Sequence, residues 1–431
     1  LRLYQTLAMP ENTAMYSGKV VAFMPVTNCC QIVSIIFQKC IEIFRLSAKN
    51  FSGIFAKIAC MKIAVLGAGM VGRAIALDLA TIFDVTSFDV SEQNLQFLQR
   101  RSTNVKTVVV DLRKTDAYSS FLQPFDIVVT AVPGFMGFET LKAVINAGKN
   151  VADISFFPED ALQLDALAKE KNVTAIVDCG VAPGMSNWII GRYNAEMKID
   201  AFEIYVGGLP LHPQPPFFYK APFSPIDVIE EYTRPARLKE NGIVVTKPPL
   251  TDREMMNFDR VGTLEAFNTD GLRSLLFTMP HIPTQIEKTL RYPGHVDLII
   301  ALQQSGFFST EKRMIDGQAV SPMQITSQLL IDQWKLGETE EELTVMKVIV
   351  HGEGKRIEYN LYDQFDTATQ TSSMARTTGY ACTAAVHLLA GNMVTKKGVF
   401  PPELLGDDKN CFDFVLKYLA ERNVNWIKKT S

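Results

Sequence analysis

The sequence predicts an α/β protein, with a doubly wound parallel sheet in its first half and a second α/β domain after it. Between residues 61 and 179, short apolar runs rich in β-branched residues alternate with stretches of helical periodicity, which is typical of parallel strands joined by crossover helices. A glycine-rich turn joins the first of these runs to the first helix. At Gly180 the alternation of strands and helices is interrupted, because GVAPGMSN forms a turn that we take as the hinge between the domains.

The first strand, turn and helix have the layout of a dinucleotide-binding unit. A buried strand over 63–66 is followed by Gly67, Gly69 and Gly72 at G-x-G-x-x-G spacing. Gly67 permits a tight turn, Gly69 lets the backbone approach a pyrophosphate, and Gly72 lets the helix pack close to the strand. The helix N-terminus then offers free N–H groups and partial positive charge to the phosphates. An ordinary strand–turn–helix is the alternative, but here a second strand ending in an acid also follows in order.

That acid, Asp89, indicates which dinucleotide binds. It lies where a carboxylate accepts a hydrogen bond from a ribose 2′-hydroxyl, and it would repel a 2′-phosphate, so the sequence favours NAD over NADP. A strand over 105–110 ends where the adenine binds in such folds, and one over 125–132 ends at the nicotinamide half. The predicted cofactor-binding residues are Gly67, Ala68, Gly69, Met70, Val71, Gly72, Asp89, Asp111, Leu112, Ala131, Val132 and Pro133.

The remaining elements follow in chain order. In the first half we predict a helix over 138–147, a strand over 150–155, a helix over 161–171 and a strand over 174–179. After the hinge we predict a helix from Met185, a strand over 202–206, a helix over 226–232, a strand over 242–246, paired strands over 345–351 and 355–362, and helices over 374–389 and 413–422. The stretch GGLPLHPQPPFFYK is dense in proline and aromatic residues, so we expect an irregular loop that walls the cleft.

Composition excludes several classes of function. The 431 residues carry a net charge of −3, which gives no sign of a nucleic-acid or anionic-membrane partner. The seven cysteines are scattered without a C-x-x-C pair, and the five histidines do not cluster, so we expect no metal site. Reduced thiols are typical of a cytoplasmic protein, and we expect a small-molecule substrate.

Residues 1–60 differ from the rest, with six basic residues, two acidic ones and a short apolar run at 32–37. That run is far shorter than the ~20 residues of a membrane span, and the segment does not have the layout of a secretory signal. A basic leader that is poor in acids could be an organelle transit peptide. We favour a start at Met61 and leave this segment out of the fold.

Several motifs in a fixed order resemble the saccharopine dehydrogenase family, most closely its lysine 6-dehydrogenase branch. They are GAGMVG, DCGVAPGMSN, YVGGLP, YKAPFSP, LEAFNTDGL, EKTLRYPGH and MARTTGY, and they cover the chain from about Met61 to its end. The resemblance implies a dinucleotide-binding domain over 61–182 that is completed by 373–431, and a substrate-binding domain over 183–372 that supports a homodimer. It also implies oxidation of a CH–NH bond of an amino acid.

Two departures from the family pattern bear on the substrate. Saccharopine-type enzymes are known for a G-L-D-P-G turn whose acid contacts the substrate, whereas this chain has Ala182 at the acidic position. An arginine follows their W-S-P motif, whereas here Ile226 follows Ser224 and Pro225. Losing charge partners is costly for a dicarboxylate arm, so we prefer a smaller amino acid, with L-lysine first.

The candidate residues for the chemistry each have an alternative structural role. Arg291 could grip the substrate α-carboxylate bidentately, or it could form a structural ion pair. His295 could carry a proton, since its ordinary pKa lies near neutrality, or it could be a hydrogen-bonded structural residue. Asp153, at the end of a strand, could be a base or orient one, or it could cap the next segment. The other candidates are Tyr219 as a third catalytic residue, and Glu265 and Asp178 as substrate contacts.

Three hypotheses follow. The first is an NAD-dependent dehydrogenase acting on lysine, which releases ammonia and leaves an aldehyde. The second is saccharopine or carboxynorspermidine reduction, in which a carbonyl partner condenses first. The third is a non-catalytic relative that binds the nucleotide as a sensor or scaffold.

Overall fold

The computed structural model describes residues 60–431, so our interpretation of the N-terminal segment lies outside the described residues. The strands are β1 (Lys62–Leu66), β2 (Asp84–Asp89), β3 (Val105–Val109), β4 (Ile127–Thr130), β5 (Asn150–Asp153), β6 (Thr174–Ile176), β7 (Ala201–Pro210), β8 (Ala236–Glu240), β9 (Ile243–Lys247), β10 (Glu254–Phe258), β11 (Gly262–Asn268), β12 (Thr284–Arg291), β13 (Arg313–Ile315), β14 (Gln318–Val320), β15 (Glu342–Gly352), β16 (Lys355–Gln364), β17 (Gly398–Phe400) and β18 (Trp426–Thr430).

The helices complete the inventory of regular elements. They are α1 (Met70–Leu79), α2 (Glu92–Arg101), α3 (Tyr118–Phe121), α4 (Gly134–Asn146), α5 (Asp165–Glu170), α6 (Met185–Asn194), α7 (Pro225–Thr233), α8 (Leu275–Thr278), α9 (His295–Gln304), α10 (Pro322–Trp334), α11 (Ser373–Ala390) and α12 (Lys409–Ala420). Short 3₁₀ turns lie at Thr115–Ala117, Ala161–Leu164 and Pro402–Leu404.

The first sheet is parallel throughout, with the strand order β17-β6-β5-β4-β1-β2-β3. The order reverses at β1, whose neighbours β2 and β4 lie on opposite sides, and this confirms the predicted doubly wound fold. Strands β1 and β4 are almost fully buried because helices cover both faces of the sheet. The carboxyl ends of these strands therefore share one edge, where ligands bind in such folds.

The helix α2 illustrates how local sequence fixes an element on this sheet. Ser91 caps its start by accepting a hydrogen bond from the Asn94 N–H, and two arginines stand in its last turn, where they complement the helix dipole. Leu95 and Leu98 are its buried face, one turn apart. At the end of the chain, α11 packs against α1 and α12, and it is buried along nearly its whole length.

The second sheet is mixed, with the order β10-β11-β12-β7-β15-β16-β18, and β8 pairs with both β12 and β9. Its central strand β7 runs parallel to β12 and antiparallel to β15. The separate hairpin β13–β14 precedes α10. A second α/β layer is thus confirmed, and its strand β12 presents one face to the edge of the first sheet.

The structure corrects one prediction about the second half. The stretch after Val206 is not irregular from its start, because Gly207 and Gly208 continue β7 to Pro210. Both sides of this strand are occupied, and a Cβ on Gly208 would lie 2.5 Å from the Pro222 ring, so glycine allows the close packing of a central strand. The terminal strand β18, which lies in the 373–431 segment, pairs with β16 in the second sheet.

Two smaller results concern boundaries and membranes. The predicted helix over 161–171 begins as a 3₁₀ turn and becomes α-helical only at α5. In the part of the chain that the structure describes, none of the helices has the length and apolarity that crossing a bilayer requires.

Candidate active site

A cavity of about 1150 Å³ lies between the two sheets. One wall is the carboxyl edge of the first sheet, where residues that follow each of β1 to β6 reach it. The other wall comes from β7, β12 and the segment after β11. Ten predicted cofactor residues line the cavity: Gly67, Gly69, Met70, Val71, Asp89, Asp111, Leu112, Ala131, Val132 and Pro133. Ala68 and Gly72 lie behind the surface.

The three glycines of the turn differ in what surrounds them. Gly67 has a φ of +108°, and a Cβ there would lie 2.2 Å from the Ala131 carbonyl oxygen. A Cβ on Gly72 would lie 2.1 Å from the Gly67 carbonyl oxygen, so both positions require glycine for the turn to close. A Cβ on Gly69 would meet nothing within 4 Å and would project into open space at the start of α1. Gly69 therefore leaves room for a ligand, and the residues present fit a dinucleotide diphosphate.

Asp89 is held in place by the backbone. Its Oδ2 accepts a hydrogen bond of 2.6 Å from the Ala68 N–H, and its Oδ1 accepts one of 2.7 Å from the Ser91 N–H. These two donors fix the carboxylate beside the cavity. At the end of β3, the Arg113 guanidinium donates to both oxygens of Asp111 at 2.8 and 3.0 Å, and these bonds lower the pKa of Asp111 to about 2.

Strand β12 contributes polar side chains to the opposite wall of the cavity. Glu287, Thr289 and Arg291 alternate along it, so all three face the cavity. Their side chains are more than nine-tenths buried. Of these three residues only Arg291 was predicted from the sequence, although the alternation is visible in the motif EKTLR.

Arg291 is fixed by contacts on every side. Its Nε donates to the Tyr232 hydroxyl at 2.8 Å, its Nη1 donates to the Leu290 carbonyl at 2.9 Å, and its Nη2 lies 3.2 Å from Glu231. Its guanidinium also stacks on the Tyr219 ring, with 4.4 Å between the guanidinium carbon and the ring centre. Arg291 thus lines the cavity, but it is already paired with Glu231. A substrate carboxylate would have to join this ion pair or take the place of Glu231.

Three carboxyl groups of this wall were missed by the sequence analysis. Burial raises the pKa of Asp227 to about 6, that of Glu231 to about 7 and that of Glu287 to about 8. Asp227 is 6% exposed, and its Oδ1 has no hydrogen-bond partner among residues 60–431. Asp227 and Glu231 stand one turn apart on α7, which is a signal that the sequence did contain.

Asp178 lies at the cavity and is paired. The Arg273 Nε donates to it at 2.9 Å, and both side chains are almost fully buried. The Arg273 guanidinium also stacks against Phe156 and Phe157, at 4.9 and 5.0 Å from the ring centres. This pair joins the end of the first sheet to the second half of the chain, so it can position the cavity wall. Asp178 can also contact a substrate, since it lines the cavity.

The candidate His295 does not reach the cavity. Its Nδ1 lies 2.8 Å from the Phe217 carbonyl, which can only accept, so Nδ1 carries the proton and Nε2 accepts from the Tyr232 hydroxyl at 2.9 Å. Burial, together with the nearby Arg291 charge, lowers the pKa of His295 to about 3. This corrects the predicted role as proton carrier, since the ring stays neutral and instead orients Tyr232, which in turn holds Arg291.

The other three candidates also lie outside the cavity lining. Tyr219 is 4% exposed, and its ring stacks against the Arg291 guanidinium. Glu265 is buried on β11 in an ion pair with Arg253, so the predicted substrate contact is corrected. Asp153 is fully buried behind the wall and accepts hydrogen bonds from Thr130 Oγ1 and the Ser155 N–H.

The buried Asp153 gives a testable pH dependence. Burial raises its pKa to about 7, and one of its oxygens has no partner in the described part of the chain. Because the folded protein binds this proton more tightly than the unfolded chain, whose aspartate pKa is about 3.9, stability falls as the pH rises from about 4 to about 7. In urea denaturation at pH 8, we expect the free energy of unfolding of Asp153→Asn to exceed that of the wild type by on the order of 2–4 kcal/mol. At pH 4 the substitution should not increase the free energy of unfolding.

The exposed Asp116→Asn is the control for this experiment, and it should follow the wild type at both pH values. A constant difference between Asp153→Asn and the wild type from pH 4 to pH 8 would contradict the assignment.

Comparison with known proteins agrees with this architecture. The model of the saccharopine dehydrogenase NADP binding domain matches residues 63–176, and that of the saccharopine dehydrogenase C-terminal domain matches residues 180–424. Alpha-aminoadipic semialdehyde synthase, mitochondrial, from Rattus norvegicus is 24% identical over 266 residues, which are 58% of this chain and 29% of that protein. Saccharopine dehydrogenase (NADP(+), L-glutamate-forming) from Pyricularia oryzae is 24% identical over 288 residues, 63% of this chain and 64% of that protein.

The matches span less than two thirds of the length of either relative. A solved structure, apo saccharopine dehydrogenase (L-Glu forming) from Saccharomyces cerevisiae, superimposes with a TM-score of 0.71 at 18% identity, covering 86% of this chain and all of that one. That likeness shows the fold. Because the two domain models together match most of the chain in the expected order, the protein belongs to the saccharopine dehydrogenase family.

Proposed function

We propose that this protein is a nicotinamide-dependent dehydrogenase that oxidises a CH–NH bond of an amino acid, with L-lysine as the substrate and NAD as the acceptor. The products are ammonia and an aldehyde, allysine, which cyclises to piperideine carboxylate. Saccharopine or carboxynorspermidine dehydrogenase activity is the second candidate, and the names of the relatives favour saccharopine.

The observation that carries this proposal is the continuity of one cavity from the glycine turn to Arg291 and its surrounding acids. A guanidinium suits an α-carboxylate, and buried carboxyl groups suit an ammonium or amine. Asp227 lies beside this region, and a Cβ on Gly134, which follows Pro133 at the nicotinamide end, would lie 3.3 Å from its Oδ1. A small amino acid can therefore reach the cofactor groove while both of its charged ends meet opposite charges.

The balance of charges favours lysine over saccharopine. Saccharopine carries three carboxylates, so its site needs several free cations. In this half of the cavity Arg234 and Arg291 are each paired with a glutamate, Lys335 is a third cation of the lining, and four acids outnumber these three cations. The acids are Asp227, Glu231, Asp270 and Glu287. Together with Ala182 and Ile226, this acidic lining supports a substrate that is rich in amines.

NAD is our proposal for the cofactor, although the matching domain model and the Pyricularia oryzae relative are described with NADP. The fixed carboxylate of Asp89 would repel a 2′-phosphate. The nearby Arg113 is already engaged by Asp111, so it offers little compensation. We therefore expect tighter binding of NAD than of NADP.

The bound nicotinamide would accept a hydride from the carbon that bears the amine. The chain itself must remove a proton from the ammonium, hold the carboxylate and admit the water that hydrolyses the C=N bond. Arg291 is suited to the second task, and the carboxyl groups of the same wall are suited to the first. A homodimer in the cytoplasm is also our proposal, based on the family resemblance and the free cysteines.

An absorbance assay at near-ultraviolet wavelengths separates the hypotheses. We expect L-lysine alone to reduce NAD, faster than NADP at equal concentration, because the amine and the carboxylate have partners in one cavity. Oxidation of the reduced cofactor only with lysine plus a 2-oxo acid would favour the second candidate. Cofactor binding by thermal shift without turnover in either mixture would favour a non-catalytic relative.

A further inference from the structure

The carboxyl groups of the substrate wall are not equivalent. Glu231 is engaged by Arg291, and Asp270 is held by the Arg237 guanidinium at 2.8 and 2.9 Å. Asp227 lies against the start of α4. Glu287 has no cation within ion-pair distance in the described part of the chain, although it is only 6% exposed. A buried carboxyl group without a cation is costly, so this position favours an incoming positive charge.

The hydrogen bonds of Glu287 leave one oxygen for a ligand. Its Oε2 accepts from Thr269 Oγ1 at 2.7 Å and from the Gly271 N–H at 3.0 Å. Because Thr269 has only one hydroxyl proton, Thr289 must donate to it across 2.9 Å while Glu287 is ionised. In residues 60–431, Oε1 has no hydrogen-bond partner. Unlike the unpaired oxygens that are fully buried there, it is accessible to solvent. The held oxygen orients the carboxyl group, and the other opens onto the cavity.

The geometry points to Glu287 as the general base that takes the proton from the reacting amine of the substrate. The inference rests on the proposed amine oxidation. The bound ammonium first pairs with Oε1, its N–H bond then breaks as the O–H bond forms, and the neutral amine can release hydride from its carbon to the nicotinamide as the C=N bond forms. From the sequence we predicted Asp153 or His295 for this task, and neither residue reaches the cavity.

The surroundings keep the pKa of Glu287 near the working pH. Burial raises it to about 8, and the charges of Glu231 on α7 and Asp270 after β11 act in the same direction. Arg291 lies on the same face of β12 and opposes them, with its charge shared with Glu231. A base with a pKa close to the operating pH is the most effective proton carrier.

The test compares Glu287→Gln with Glu342→Gln. Glu342 is a matched control because it is fully buried and its pKa is also raised to about 8, yet it lies outside the cavity lining. With lysine and NAD, we expect kcat of Glu287→Gln to fall by about 100-fold or more, with the dinucleotide Kd unchanged. Glu342→Gln should stay within about threefold of the wild type, and Glu287→Asp should regain part of the rate at a shifted pH optimum.

A second readout needs no turnover. When L-lysine binds to the protein loaded with NADH at pH 7, the ammonium should drive the proton from Glu287, and calorimetry in two buffers of different ionisation enthalpy should detect release of up to about one proton. Glu287→Gln should lose this release, whereas Glu342→Gln should keep it.

The outcomes separate the two proposals. If the wild type oxidises lysine but Glu287→Gln keeps both its rate and its proton release, the role of Glu287 is wrong and the proposed function stands. If the wild type neither binds nor oxidises an amino acid, both are wrong.

Discussion

Replacing Gly69 with valine should weaken binding of the nicotinamide dinucleotide by about 100-fold or more and leave the protein folded. The new side chain would project into the space that a diphosphate needs at the start of α1, since a Cβ there meets no protein atom within 4 Å. Loss of two hydrogen bonds from backbone N–H groups to phosphate, at about 1.5 kcal/mol each, gives this factor. Fluorescence titration with NADH measures it directly.

The matched experiments distinguish a lost site from a lost fold. Gly69→Ala should show a smaller loss of affinity, because a methyl group occupies less of the space. Gly67→Val should fail to fold, since its φ of +108° and the Ala131 oxygen 2.2 Å away exclude a side chain. Asp408→Ala removes the cap of the distant helix α12, so it controls for a weakened helix start and should keep full affinity. Unchanged binding in Gly69→Val would refute the cofactor site.

Replacing Arg291 with methionine should destabilise the protein by about 3–5 kcal/mol, because the largely buried Glu231 would then lose its cation. The loss of the cation would raise the pKa of Glu231 further, so part of the cost should be relieved by protonation at low pH. If the α-carboxylate of the substrate binds here, KM for lysine should also rise by about 100-fold, while the Kd of NAD stays unchanged. Urea unfolding and steady-state kinetics provide the two measurements.

A double variant tests whether the cost arises from the pair. Arg291→Met combined with Glu231→Gln should recover much of the lost stability, because no unpaired charge remains. Arg253→Met is the control, since Arg253 pairs with Glu265 outside the cavity lining and should leave KM unchanged. A loss of less than about 1 kcal/mol in Arg291→Met would show that the ion pair contributes little.

The cofactor half of the site could be predicted from the sequence because most of its residues are close to one another in the chain. The strand β1, the three glycines and α1 are contiguous in the chain, and the atom that a Cβ on Gly72 would meet belongs to Gly67, five residues before it. Ten of the twelve predicted cofactor residues line the cavity, and Asp89 stands at its edge with both oxygens bound to nearby backbone N–H groups.

The substrate half was predicted less well because its parts come from distant segments. Among the predicted catalytic and substrate-binding residues, only Arg291 and Asp178 line the cavity. His295 was a reasonable candidate from its ordinary pKa, but its partners Phe217 and Tyr232 lie more than sixty residues away, and they fix it as a neutral structural group. The motif EKTLR places Glu287 on the same face of the strand as Arg291, but it does not show whether that face is buried or exposed.

The sequence by itself determined the doubly wound fold, the dinucleotide turn and the family, because these depend on periodicity and on spacing between near neighbours. The tertiary structure alone decided which acids face the cavity, which of them have cations, and that β7 continues through its glycines. Burial and partner charges set the state of each ionisable group, and both arise only when α7, β11 and β12 come together against the edge of the first sheet.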